Sequence, residues 1–202
     1  MLKSIDKIQT LLPLGYLFLV ILGLVKECVY YYQVGINYLK YSSIMDILIS
    51  PIAAITEHPL ILLVTIALFV FHFYLPKILL KYKHKKWIQK TFELKQNLNE
   101  LSTEDQKEYL IVVTFRSLII YLISFFLGFG IAGGYSQANN IKNKKLSYDY
   151  LLHYNSGESE TIFLIGFNSI YYFYLANGNQ NIKITPVNSI KNLELTNNKT
   201  FK

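Results

Sequence analysis

Residues 109–134 read YLIVVTFRSLIIYLISFFLGFGIAGG. Coiled as a helix, this stretch is long enough to cross the ~30 Å hydrocarbon core of a bilayer with tilt. One charge, Arg116, interrupts it. Thr114, Ser117, Tyr121, Ser124, Gly128 and Ala132 follow one another at spacings of three or four, so they share one face of that helix. A stripe of small and hydroxyl residues on an otherwise apolar span has two uses. It lets helices approach closely and hydrogen-bond to each other, or it lines a wet passage. Both readings stay open at this point. Arg116, about two turns inside the segment and beside the stripe, needs the interface or a partner, for which Glu57 and Asp46 are the candidates.

Two further apolar runs lie upstream. The first begins after Lys3 and Lys7 and extends over Leu11–Tyr31. Its basic start resembles a secretory signal, yet no small-x-small cleavage site follows Val25, because Lys26-Glu27-Cys28 and a tyrosine triplet, Tyr30 to Tyr32, come next. The expectation is a retained span with an aromatic belt at its far end, where Lys26 and Glu27 snorkel to the interface. The second run, Pro59–Leu80, is almost uninterrupted and carries His72 and Pro76 near its end. Between the two, Ser43 with Asp46 three positions later forms a capping-box pattern ahead of Ile44 to Ile55. That stretch is too short to span and Pro51 breaks it, so an interfacial or re-entrant helix is expected.

After the second run comes the most basic part of the chain, with Lys81, Lys83, Lys85, Lys86 and Lys90 around Trp87. Trp87, Thr91, Leu94, Leu98 and Leu101 continue at helical spacing, and Ser102 with Asp105 is a second capping pattern. This predicts a soluble helical hairpin over 81–108. The lysines have three readings: a positive-inside topology signal, a patch for anionic lipid, and a ligand site in which Trp87 stacks on a base of a nucleotide or short oligonucleotide while the lysines neutralise phosphate.

From Tyr135 the composition turns polar and then β-rich. Tyr148, Tyr150, Leu152 and Tyr154 alternate, and short strand-like runs follow over 161–165, 169–175, 181–185 and 190–195. Asn155-Ser156-Gly157, Phe167-Asn168 and Asn177-Gly178 supply turns. The fold expected is therefore a membrane α-helical protein with three transmembrane helices and an interfacial helix over 1–134, followed by a small antiparallel β barrel-like domain over 135–202.

Composition agrees with lipid as a solvent: 52% of residues are hydrophobic and only 16% charged. Arg116 is the sole arginine among 20 basic residues, which favours anchoring and solvated faces over bidentate phosphate or base recognition. The single cysteine, Cys28, leaves no internal disulfide, and the four histidines at 58, 72, 84 and 153 have no metal-ligand spacing. No metal and no cofactor is expected. Gly128-Phe-Gly-Ile-Ala-Gly133 matches the dinucleotide fingerprint as a pattern, but that motif works between a strand and a helix start, whereas here it ends an apolar helix. No nucleophile elbow, phosphate loop or carboxylate pair is present, and an enzyme is not expected.

The glycines at 128 to 134 followed by a five-strand module resemble the small-conductance mechanosensitive channel family over residues 109–195. The polar insertion 137–145 departs from that layout, and so does the charge-based topology. Lys3, Lys7 and the 81–90 lysines inside, with three spans, put the tail outside, although the local flanks of the third span, Glu104, Asp105 and Glu108 before it and Lys142, Lys144 and Lys145 after it, favour the reverse. With its interfacial stretch 35–44 and β tail 165–178, the chain also looks like the small membrane effectors of bacterial antiphage systems, such as the nucleotide-signalled ones and the Hailong-type channel. That resemblance implies a homo-oligomeric, ligand-gated pore in the bacterial inner membrane that depolarises the cell. The competing expectation is a non-conducting accessory membrane protein whose β tail binds a partner protein.

Overall fold

The computed structural model describes residues 2–57, 59–95, 98 and 101–196. Among the described residues five α-helices precede five strands: α1 (Leu2–Gln33), α2 (Ile44–Glu57), α3 (Pro59–Tyr82), α4 (Lys86–Thr91), α5 (Thr103–Lys142), then β1 (Tyr150–Tyr154), β2 (Ser159–Phe167), β3 (Tyr171–Ala176), β4 (Ile182–Pro186) and β5 (Ile190–Leu195). Three helical segments, Pro13–Gln33, Pro59–Tyr82 and Thr103–Lys142, are long and apolar enough to cross a membrane. The chain is a membrane-associated protein. Its contacts divide it into two units, 1–50 with 127–202, and 51–126.

In the first unit the lower part of α5 runs parallel to α1. Gly130 meets the Lys26 carbonyl and Gly134 meets the Tyr30 carbonyl, so a four-residue step on one helix matches a four-residue step on the other. Glycine is required there because a Cβ at Gly130 would stand 2.6 Å from the Lys26 oxygen. A third close approach joins α1 to α2, where Gly23 lies against the Ile47 carbonyl. Pro51, four residues on, has no N–H to bond that oxygen, so the carbonyl freed by the proline is the one that the glycine backbone covers.

The antiparallel sheet has the order β4-β3-β2-β1-β5. The barrel-like closure expected from the sequence does not occur: β4 and β5 are the two edges and do not pair. The cover that closure supplies comes from the helices instead. Ile165, Phe173 and Leu175 of one sheet face form a core with Tyr31, Val34, Ile36, Tyr38 and Ile47, while Ala138 and Ile141 pack against it from the end of α5. Those last contacts explain a second difference from expectation. The polar stretch from Gln137 to Lys142, placed with the β tail by composition, continues α5 as helix because Ala138 and Ile141, three apart, face the sheet core.

Register in the sheet shifts at two irregularities, one between His153 and Tyr154 where β1 pairs with β5 and one in β2. Leu164 pairs with Tyr174 and Gly166 with Phe173, which leaves Ile165 as the extra residue of a bulge. Its carbonyl accepts the Tyr30 hydroxyl at 3.1 Å, and Gly166 lies flush against the Tyr31 hydroxyl. On the opposite face Leu152, Ile162, Tyr174 and Ala176 are buried together. The Tyr154, Tyr174 and Thr185 hydroxyls join in a chain there, beside an ion pair of Lys183 with Glu160. Burial, helped by hydrogen bonds to Tyr174 and Glu160, pushes the Tyr154 phenol well above its ordinary value, and the hydrogen bond to Glu160 raises the Lys183 ammonium.

In the second unit α3 runs antiparallel to the upper part of α5, and Leu75, Leu79, Leu110 and Val113 share a core with Ile88, Phe92, Leu94 and Leu98. The long helix expected after the second span is absent: α3 stops at Tyr82, α4 has six residues, and Glu93 turns the chain with φ at +51°. The expected seam changes with it. Ile88 and Phe92 are buried while Trp87 and Thr91 are exposed, and Leu94 and Leu98 reach the core from the turn. Asn97 and Glu100 of the intended hairpin, like His58, lie outside the described residues. Ser102 does cap α5, accepting the Asp105 N–H at 3.2 Å.

Candidate functional site

The stripe on α5 is divided by its surroundings. In the second unit Thr114 is buried and Ser117 half-buried, whereas Tyr121 and Ser124 are exposed. In the first unit Gly128 and Ala132 are exposed, and a Cβ built on Gly128 meets nothing within 4 Å. Gly130 and Gly134, roughly half a turn around the same helix, are the ones packed on α1. The four terminal glycines therefore do two separate things: one edge is consumed within the chain and the other is left uncovered.

Beside the packed edge lies a polar cluster. Lys26 donates to Glu27 at 2.7 Å and to the Ser50 hydroxyl at 3.3 Å, and Ser50 in turn donates to Glu27. The side chains of Lys26 and Glu27 are only 15% and 12% exposed, and the ammonium stands 5.9 Å from the Phe129 ring centre. Sequence reading placed this pair at the interface as snorkelling residues. In the fold it is an ion pair enclosed at the α1 and α2 junction, about 10 Å before the end of α1 at 1.5 Å per residue. Ser50, the group that completes it, gave no signal in sequence, since it sits 23 positions away on a helix that does not span.

Arg116 has a different partner from either candidate. Its guanidinium donates to the Phe92 carbonyl at 3.0 Å and pairs with Glu93 at 3.2 Å. Glu93 is brought there by the left-handed turn after α4, a feature that no pattern in the sequence announced. Thr91, Ser117 and Tyr121 line the same small recess of about 190 Å³. Both charges are largely exposed, so the pair contributes little to stability.

The lysine cluster is only partly free. Lys83 donates to Gln106 at 2.8 Å, and Lys81 and Lys85 lie over the Tyr82 ring. Lys86, Lys90 and Trp87 are exposed, the indole to 62%. Among the described residues no group of three or more His, Cys, Asp or Glu side chains is placed to hold a metal ion.

A fourth feature joins the helices to the sheet. Asp46 closes the expected capping box, accepting from the Ser43 N–H at 2.9 Å and donating its own N–H to the Ser43 hydroxyl at 3.1 Å. Its other carboxylate oxygen accepts the Ser169 N–H in the β2–β3 turn at 3.0 Å, and Asn168 of that turn donates to the Tyr41 carbonyl at 2.9 Å. Burial works to raise the Asp46 carboxyl, but the hydrogen bonds from Ser43 and Ser169 outweigh it, so the group lies below its ordinary value. A depressed carboxylate stabilises the fold fully above its unfolded value and loses that contribution as pH falls through the folded one, a window below about pH 4. Asp46→Ala should therefore lower stability by about 1–2 kcal/mol at neutral pH. Thermal unfolding checks this: the gap between the two proteins must narrow in acid.

No family model, no curated protein and no solved structure matches the chain. What fold and site define is the class, a membrane-associated helical protein carrying an open five-stranded sheet.

Proposed function

We propose that this chain forms a homo-oligomeric membrane channel, with the uncovered edge of α5 at Ser124, Gly128 and Ala132 turned toward the axis. The observation that carries this is the division of the α5 glycines. A helix that already uses Gly130 and Gly134 to pack on α1 keeps a second small and hydroxyl-bearing edge bare. Facing lipid, that edge gains nothing, because lipid chains reward large apolar side chains as well as any protein does. Facing copies of itself, it permits close approach and a wet lining.

The parallel run of α1 and α5 supports three passes, since it puts the sheet at the end of α1 remote from Lys3 and Lys7. With those lysines and the 81–90 cluster in the cytoplasm, the sheet lies outside. The exposed Trp87, Lys86 and Lys90 support gating by an anionic ligand, a nucleotide or short oligonucleotide. Resemblance to antiphage effectors supports placing the resulting depolarisation in defence.

Ion flux from vesicles holding the purified chain tests the proposal. Ser124→Leu and Gly128→Leu should each cut flux by about tenfold without unfolding the protein, and a short oligonucleotide should change the flux of the parent chain. Equal flux from parent and variants sinks the assignment of the axis. A second reading rests on β4 and β5, whose unpaired edges suit strand addition by a partner protein. A silent monomer that takes up a second protein through the sheet would establish that accessory role instead.

A further inference from the structure

Buried polar groups in a membrane span are expected to find partners, because no water competes for them. Three in the second unit do not, Thr65, His72 and Thr114, and the last two share a groove. His72 and Thr114 are 4% and 8% exposed, and His72 Nε2 and Thr114 Oγ1 have no hydrogen-bond partner. Both residues line one groove of about 330 Å³ between α3 and α5, and Phe69, Phe73, Phe115 and Pro76 supply most of its remaining wall.

The chemistry of the missing partner follows from the imidazole. Nδ1 lies 2.9 Å from the Leu68 carbonyl, which only accepts, so Nδ1 carries a proton. In the neutral ring Nε2 is then a bare acceptor and calls for a donor. Tyr121 does not provide it, because its ring meets the imidazole edge-on with centroids 5.5 Å apart, and no hydrogen bond joins the two. The Thr114 hydroxyl, free in both senses, suits an oxygen that accepts while it donates elsewhere. A single O–H group answers both needs, giving its proton to His72 and receiving one from Thr114. A water would leave its remaining capacity facing phenylalanine rings, whereas the hydroxyl of a larger molecule is already bonded on that side.

We propose that the α3–α5 groove binds a hydrophobic phenol, with the hydroxyl bridging His72 Nε2 and Thr114 Oγ1 and the ring seated among Phe69, Phe73 and Phe115. Three aromatic walls and a proline favour a flat ring, through offset and edge-to-face contacts, over an aliphatic chain. The volume lies at the small end of ligand sites, which suits one ring and a short substituent. Since neither polar atom is open to water, docking requires a side chain of the groove wall to swing aside. The site is separate from the bare edge of α5 and stands whether or not the chain conducts.

The test uses the full chain in phosphatidylcholine vesicles and a 4-alkylphenol carrying a photoreactive diazirine. Labelling should fall on residues 69–76 and 111–118. Unlabelled 4-alkylphenol should compete about tenfold better than its methyl ether, which has the same shape and no donor, tenfold being the worth of one hydrogen bond of ordinary strength. His72→Phe should lose the labelling, Thr114→Val should weaken it, and the parent should gain thermal stability from the phenol but not from the ether. His72→Phe removes the unpartnered Nε2 together with the Nδ1 bond to Leu68, so a melting curve close to that of the parent shows that lost labelling is not lost structure. The inference is overturned if the ether competes equally, if His72→Phe labels like the parent, or if labelling is absent and copies cross-link through Phe73 and Phe115 because a second chain fills the groove.

Discussion

Gly130→Leu should separate α1 from α5 and leave a chain that fails to hold its sheet. The substitution puts a branched side chain where even a Cβ would stand 2.6 Å from the Lys26 carbonyl, and that oxygen belongs to helix backbone that cannot swing away. Overpacking of this kind costs about 1–3 kcal/mol in forgiving cores and more where backbone meets backbone. Gly134→Leu, against the Tyr30 carbonyl at 2.7 Å, should behave in the same way. Gly128→Leu is the control on the same helix two residues earlier: it meets open space, so the chain folds and only assembly and flux change. Unfolding in detergent, read by far-ultraviolet dichroism, ranks the three. A Gly128 variant as damaged as the Gly130 variant would show that the two edges are not distinct.

Glu27→Ala carries the second large effect, a loss of about 3–5 kcal/mol, because it leaves the enclosed Lys26 ammonium with no counter-charge, only the Ser50 hydroxyl and the Phe129 ring. Ser50→Ala should cost less, since it removes two hydrogen bonds, one from Lys26 and one to Glu27, but leaves the charges paired. The double change Lys26→Met with Glu27→Leu should recover most of the loss, as apolar residues of similar volume replace the pair without a desolvated charge. The same unfolding measurement decides it. If Glu27→Ala and the double variant are equally unstable, the cost lies in packing and not in the orphaned ammonium.

How much was legible beforehand depended on the range of the interaction. The long apolar helices at 59–82 and within 103–142, the capping boxes at Ser43 and Ser102 and the Asn177-Gly178 turn are written in consecutive residues. They were readable because a helix period, a cap or a left-handed turn is decided within about four positions. Strand β5 was read at its observed bounds, and β2 to β4 within one to two residues. The helix expected over 81–101 failed for the converse reason. Its apolar spacing was real, but the break at Glu93 lets Leu94 and Leu98 reach the core from a turn, so periodicity alone could not tell helix from loop.

The candidate site divides along the same line. That α5 bears a stripe from Thr114 to Ala132 is a matter of spacing, and the residue order alone determined it, as it determined three apolar segments and a β-rich tail. Which part of the stripe is covered is a matter of neighbours: Thr114 turns into the α3 seam, Gly130 and Gly134 into α1, and Gly128 into nothing. The sheet stayed open for a related reason. Five alternating strands satisfy their inner faces equally well by curling shut or by lying on a helix, and the apolar cluster at Tyr31, Tyr38 and Ile47 made the second choice available. Charge partners followed suit, with Lys26 and Glu27 meeting Ser50 and Arg116 meeting Glu93. These pairings join segments from about twenty to more than a hundred residues apart, and contact at that range is set by how the helices pack, which no local pattern encodes.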